Sequence, residues 1–400
     1  MAVAWRSVLP VILFFALLAF EDWISHPYCK TMPGRDPDDH VGPEQESEDD
    51  LKVMLVANLL LFGSEAGFVN LYFRDYYMSK FFKKSFHRVK PDLLLVLGDI
   101  SAKGSQLTKT KWLSVFHQFH WMLGPFLGLP YHVVLGDRDF GECGELDAKF
   151  VNWITRKFPG LDSSGCGAFK ISNVSFVSLN SVALLCGNNE LRFSAEKAIE
   201  SESLGLQMKA NDASKTNEDS SKLRTKSHDF GWRENAISSG AGPVLLLHFP
   251  LHQTRKGSYG EGNAFNGALT PPHQSSRTQR MGFSDTSPYE LSCTVPPNAT
   301  EYIFQALRPR IIFSAHAYEF YDYVHFDGTR EITVPAMTWK ARDDPGFVVA
   351  TFRRNRSVVS VSYCSLARES HVLLAYSTFL VILLMIPLLA STPKFRSLRW

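Results

Sequence analysis

The chain predicts an α/β sandwich built from two sheets. Two observations carry that reading. From Leu51 onward, short apolar runs alternate with stretches of helical spacing, and after Arg310 the runs are almost all strand-like. Alternating strand and helix gives a mostly parallel sheet with helices on its faces, and the strand-rich end supplies a second sheet.

The elements follow in order. Val53 to Leu61 is a strand candidate, and Gly67 to Val89 carries Phe73, Tyr77 and Phe81 at helical spacing. Asp92 to Leu97 (DLLLVL) is short and almost wholly apolar, as a strand buried on both faces must be. Helix is expected over Leu107 to Phe126 and Glu145 to Phe158, with a strand at Tyr131 to Leu135 between them. Phe169 to Asn180 reads as two strands meeting near Ser172-Asn173. Further strands are expected at Pro243 to Leu247, Arg310 to Phe313, Tyr321 to Phe326, Glu331 to Pro335, Phe347 to Phe352 and Ser357 to Tyr363. Residues 201–242, rich in Ser, Lys, Asn and acids, and 253–297, rich in Gly, Ser, Thr and Pro, read as long loops. Loops of that length are functional or unfolded more often than structural. The first is expected to be a flexible insertion and the second a lid over a site.

Composition excludes several classes. Hydrophobic residues make up 45% and charged residues 20%, which rules out a wholly disordered chain. Lys+Arg at 42 against Asp+Glu at 40 leaves a net charge of +2, so no basic excess argues for nucleic acid as a partner. Six cysteines in 400 residues are too few for a disulfide scaffold, and no C-x-x-C pair suggests a zinc ribbon. Cys143 has no evident base beside it and reads as structural. There is no G-x-S-x-G elbow and no phosphate-binding G-x-x-x-x-G-K-[ST] loop.

Both ends point to a membrane. Residues 371–390 hold no Asp, Glu, Lys or Arg, and at about 1.5 Å per residue they span a hydrocarbon core of roughly 30 Å. A basic ten-residue tail, 391–400, follows and is expected to be cytoplasmic. Val8 to Phe20 is an apolar run short enough for the core of a signal sequence, so residues 1–23 are a signal peptide or a signal anchor. Residues 24–50 are expected to be an acidic tether and 51–366 a lumenal domain. The sequons at Asn173, Asn298 and Asn355 agree with that side, and six cysteines there allow 15 pairings.

The chemistry is concentrated at strand ends. DLLLVL runs into Gly98-Asp99, YHVVL into Gly136-Asp137, PVLLL into His248 and RIIFSA into His316. Ligands of open α/β sheets bind outside the carboxyl ends of strands. Asp99, Asp137, His248 and His316 therefore converge as two carboxylates and two imidazoles. That donor set suits manganese, zinc or iron rather than calcium.

These strand ends resemble the calcineurin-like metallophosphoesterases, whose ordered motifs are D-x-H, G-D, G-N-H-[DE], a lone His and G-H-x-H. The segment Val334 to Phe352 followed by a C-terminal span is similar to a membrane-anchored branch that acts on GPI-anchor glycans in the ER and Golgi. The resemblance implies an α/β/β/α sandwich and a phosphodiesterase. It also implies a lumenal location in the secretory pathway, with the bilayer and GPI glycan or GPI-anchored proteins as partners.

The motifs carry over unevenly. The first falls on Asn58-Leu59-Leu60, the second on Gly98-Asp99, the third on Gly136-Asp137-Arg138-Asp139, the lone His on His248 and the last on Ala315-His316-Ala317-Tyr318. In the family, the positions held here by Asn58, Leu60 and Tyr318 bind one of two metals. The other metal's positions are Asp99, Asp137, His248 and His316. One divalent transition metal is therefore expected rather than two. Arg138 replaces a His that assists the leaving group. Always charged, it cannot act as an acid, but it can contact a phosphoryl group through two nitrogens. The alternative expectation is a catalytically impaired homologue that binds cargo or partner proteins.

Overall fold

The computed structural model describes residues 2–32, 50–186, 189–218, 242–253, 294–353 and 359–391. The first sheet holds β1 (Tyr28–Thr31), β2 (Leu51–Val56), β3 (Leu93–Leu97), β4 (Tyr131–Val134), β11 (Gly346–Phe352) and β12 (Val359–Ser365), in the order β1-β12-β11-β2-β3-β4. The second holds β5 (Gly167–Ile171), β6 (Val174–Ser178), β7 (Val244–Leu246), β8 (Ile311–Ser314), β9 (Tyr321–Val324) and β10 (Arg330–Thr333), in the order β5-β6-β7-β8-β10-β9. Strands β2-β3-β4 and β6-β7-β8-β10 run parallel, whereas β1, β12 and β11 in the first sheet and β5 and β9 in the second pair antiparallel with their neighbours.

The sheets face each other. Leu51, Val53, Leu55, Leu93, Leu95 and Leu97 meet Phe176, Val244, Leu246, Ile311 and Phe313 in a core between them. The alternate residues Met54, Val56, Leu94 and Val96 pack outward against helices. Both faces of β2 and β3 are thus buried, which is why their sequences are apolar without alternation.

The helices are α1 (Ala2–Ile24), α2 (Asp75–Val89), α3 (Lys109–Leu123), α4 (Asp137–Phe140), α5 (Ala148–Thr155), α6 (Ser181–Leu185), α7 (Glu190–Glu218), α8 (Pro297–Leu307) and α9 (Glu369–Ser391). From α2, Tyr77, Phe81 and Phe82, and from α3, Trp112 and Phe119, fill the core against the first sheet.

Several expectations are corrected. β2 ends at Val56, not Leu61, because the chain turns at Asn58, whose φ is +52°. Part of the expected tether, 24–50, is the edge strand β1, bonded to β12 and joined to it by the Cys29–Cys364 disulfide. The insertion expected from 201 is helical through Glu218. The remainder of that insertion (219–241), most of the expected lid (254–293), the acidic run 33–49 and the tail 392–400 lie outside the described residues.

A second disulfide joins Cys143 to Cys186, and Cys166 is a buried thiol; Cys293 is outside the described residues. The expected span, 371–390, lies in α9, whose side chains are described as far as Met385. Among the described residues, no helix is long and apolar enough to cross a membrane.

Candidate metal centre

Four loops at carboxyl ends of strands build the site, after β3, β4, β7 and β8. The loop after β3 turns at Gly98 (φ +82°) and Asp99 (φ +51°). A Cβ on Gly98 would stand 2.1 Å from Nδ1 of His248, so only glycine lets that imidazole approach. The loop after β4 turns at Gly136, where a Cβ would meet Oδ1 of Asp99 at 2.3 Å. Asp137 then opens α4. The loop after β7 carries His248, whose N–H and that of Phe249 both donate to Ser181 Oγ, at 3.2 and 2.9 Å. His316 follows β8 with φ +62°, and its ring lies tilted against that of Phe249, ring centres 4.2 Å apart.

Asn58, Leu60, Asp99, His316 and Tyr318 are all non-glycine residues at positive φ. Such backbone costs on the order of 1–3 kcal/mol per residue and persists where the surroundings enforce it. Here the loops after β2 and β3 are laced together: Asn58 N–H donates to Gly98 O at 3.1 Å and Leu60 N–H to Asp99 O at 3.0 Å.

Asp137, His248 and His316 each place one donor atom within 4.8 Å of the others. His248 Nε2 lies 2.9 Å from Asp137 Oδ1 and 3.4 Å from Asp99 Oδ1, and its Nδ1 is 3.0 Å from Leu97 O. His316 Nδ1 is 3.4 Å from Asp137 Oδ1. Asp99 adjoins the trio through His248, and its other oxygen lies 3.5 Å from Nε of Arg138.

Charge is concentrated here at low exposure. Burial opposes the imidazolium of His248, but Asp99 and Asp137 outweigh it and raise its pKa to about 9. Burial also works against the Asp137 carboxylate; hydrogen bonds from His248 and His316 win and hold it below the usual range. Asp99 is pushed up, by burial first. One carboxylate and two imidazoles within reach of a common point fit a transition-metal ion, and Asp99 stands beside them to complete an N/O set. A cation bound there would take the place of any proton between His248 Nε2 and Asp137 Oδ1.

The positions on the far side of Asp99 do not fit a second ion. Leu60 is buried and has no donor. Burial, then the charge of Asp99, pushes the Tyr318 phenol up to about 12, leaving it protonated. Asn58 is fully buried, and neither atom of its amide has a partner. Arg138, 43% exposed, sits over the Tyr318 ring at 5.8 Å.

Three supporting residues escape sequence reasoning. Asp139 is fully buried; its oxygens accept from Ser101 N–H at 2.8 Å and Gly136 N–H at 2.9 Å, clamping two site loops. Burial, then Asp99, raises its pKa to about 7. Its signal was the acid three residues after Gly136, the spacing of a capping box. Ser181 and Lys340 had no local signal. Lys340 Nζ reaches Leu60 O at 3.0 Å and Asp75 Oδ1 at 2.5 Å. The sequons at Asn173 and Asn298 are exposed; Asn355 lies outside the described residues.

The chain is homologous to proteins named Metallophosphoesterase 1. The Rattus norvegicus protein is 25% identical over 340 residues, covering 84% of this chain and 77% of that one. The Danio rerio protein is 23% identical over 346 residues, with 86% and 82% covered. A solved dimetal phosphatase from Danio rerio aligns with a TM-score of 0.44 at 12% identity, over 80% of this chain and 99% of that one. No protein-family profile matches the chain.

Proposed function

We propose that this chain is a membrane-anchored, metal-dependent phosphoesterase with one metal position, acting on phosphodiesters of a membrane glycolipid such as the GPI glycan. The gathering of Asp137, His248 and His316 within 4.8 Å carries the reading. Asp137, His248 and His316 would hold the ion, with Asp99 as the fourth ligand. A divalent cation, manganese, zinc or iron, polarises a phosphoryl oxygen and lowers the pKa of water. Arg138 supplies a permanent positive charge beside Asp99 and the Tyr318 ring, and can hold phosphoryl oxygens there. Asp139 keeps the loops of Asp99 and Asp137 in register.

Anchoring is supported by the apolar side chains that α1 and α9 leave exposed, among them Phe14, Phe15, Leu380 and Leu384. The two disulfides suit an oxidising compartment, such as the lumen of the ER or Golgi. GPI-anchored proteins are the expected protein partners.

A second reading, a catalytically impaired homologue that binds such partners, is favoured by Leu60 and Tyr318, which remove donors from the second ion's position. Elemental analysis and phosphodiester turnover separate the two. We expect about one equivalent of metal in the purified chain. His248→Ala should lose it, and Asn58→Ala should keep it. The triple change Asn58→Asp, Leu60→His, Tyr318→His should raise the ratio towards two. Two equivalents in the unaltered chain would overturn the single position. Bound metal without turnover would select the second reading.

A further inference from the structure

The segment entering α2 has two unlike sides. Phe73, Tyr77 and Phe81 face inward, with ring centres 5.4, 5.0 and 5.4 Å from that of Trp339. Phe68, Tyr72 and Tyr76 recur every four residues on the outer side, with Val69 and Leu71 beside them, all exposed. Phe68 is 78% and Tyr72 66% exposed, and their rings pair at 4.9 Å. A contiguous aromatic patch of this kind marks a contact surface, unlike isolated exposed apolar residues.

The patch is continuous with the terminal helices. Arg74, in the same turn, forks onto Glu369 at the start of α9, at 2.7 and 3.2 Å. Tyr77 and Tyr376 join their hydroxyls at 2.9 Å. Farther along α2, Lys80 meets Glu21 at 3.1 Å and Lys84 meets Asp22, both near the end of α1. α1 and α9 touch through Phe20 and Phe379. α2 therefore clamps the polar ends of the two helices whose apolar lengths are exposed, and the outer aromatic face lies on the segment that makes those clamps.

We infer that the Phe68–Tyr76 face is an interfacial foot, seated among the headgroups of the bilayer that receives α1 and α9. Rings with polar tips are favoured at that depth, where one end meets acyl chain and the other water. The inference rests on the anchored reading above and adds an orientation to it. Lys340 ties Asp75, at the head of α2, to Leu60 in the loop beside Asp99. A seated foot thereby sets the candidate metal centre at a fixed height over the membrane. The substrate it selects is a headgroup held in the same bilayer, not a soluble phosphodiester.

The test uses the full chain in phosphatidylcholine vesicles that carry a phospholipid with a photoreactive diazirine near the acyl carbonyl. After irradiation, lipid adducts are mapped by peptide mass. Adducts on the Phe68–Tyr76 peptide as well as on α1 and α9 are expected. Adducts confined to α1 and α9 overturn the foot and leave the anchor. Protein released from the vesicles by alkaline carbonate overturns the anchor, and the foot with it. The exposed double change Phe68→Ser, Tyr72→Ser should leave the melting temperature unchanged and cut the peptide's adducts about five-fold or more. An undiminished yield in that variant would assign the adducts to chance collision and overturn the foot.

Discussion

At Gly98, one hydrogen atom decides whether the site forms. A methyl there meets His248 Nδ1 at 2.1 Å, on a backbone with φ +82°. Gly98→Ala should cost at least about 1–3 kcal/mol in backbone strain alone and displace the imidazole. Thermal denaturation should show the loss, and elemental analysis should find the metal content reduced. Gly67→Ala, with open space around it, should change neither. Asp139→Asn keeps the shape of the clamp but leaves one acceptor for two buried N–H groups. It should cost about 1–3 kcal/mol in denaturant unfolding. An unchanged midpoint would show that those loops do not depend on the carboxylate.

At the scale of elements, β4 carries a pH response into the sheet. His132 is buried, its Nε2 2.8 Å from Ser178 Oγ and its ring centre 4.6 Å from that of Phe169. Burial lowers its pKa from 6.5 to about 4. The folded chain holds the ring neutral while the unfolded chain protonates it. Stability is therefore whole above pH 6.5, falls as pH drops towards about 4, and levels below that, by at most about 3 kcal/mol. A melting series from pH 7.5 to 4 should show a shallower slope for His132→Gln than for the unaltered chain.

The elements differ in how much of them the sequence disclosed, and for physical reasons. β2 and β3 were legible because burial on both faces demands unbroken apolar runs. The positions of Asp99, Asp137, His248 and His316 were legible because each follows such a run. β1 was not: its four residues are all exposed, so YCKT carries no burial pattern and reads as tether. The helical stretch 201–218 has no marked apolar stripe, and its polar composition masks residues of good helix propensity such as Ala, Glu, Lys and Leu. Ser181 and Lys340 act across the fold, so nothing near them in the chain announces what they touch.

For the whole molecule, the Cys29–Cys364 bridge closes a loop of 335 residues. Cross-links of long loops restrict the unfolded chain most and contribute about 2–5 kcal/mol. Peptide mapping without reductant should recover both disulfides, and Cys29→Ser should lower the unfolding free energy in that range. A variant as stable as the parent would mean that pairing with β12 alone holds the edge.

The order of strands in the first sheet also governs how the chain is made. β2 lies between β3, which follows it soon in sequence, and β11, which is emitted from the ribosome almost 300 residues later. One edge of β2 stays unpaired through most of synthesis, and β1 has no neighbour at all until β12 appears. The sheet can therefore close only when the chain is nearly complete, and the β11-facing edge of Leu51–Val56 stays unpaired until then. A chain stopped before Gly346 should remain wholly open to protease, whereas one released after Ser365 should resist it.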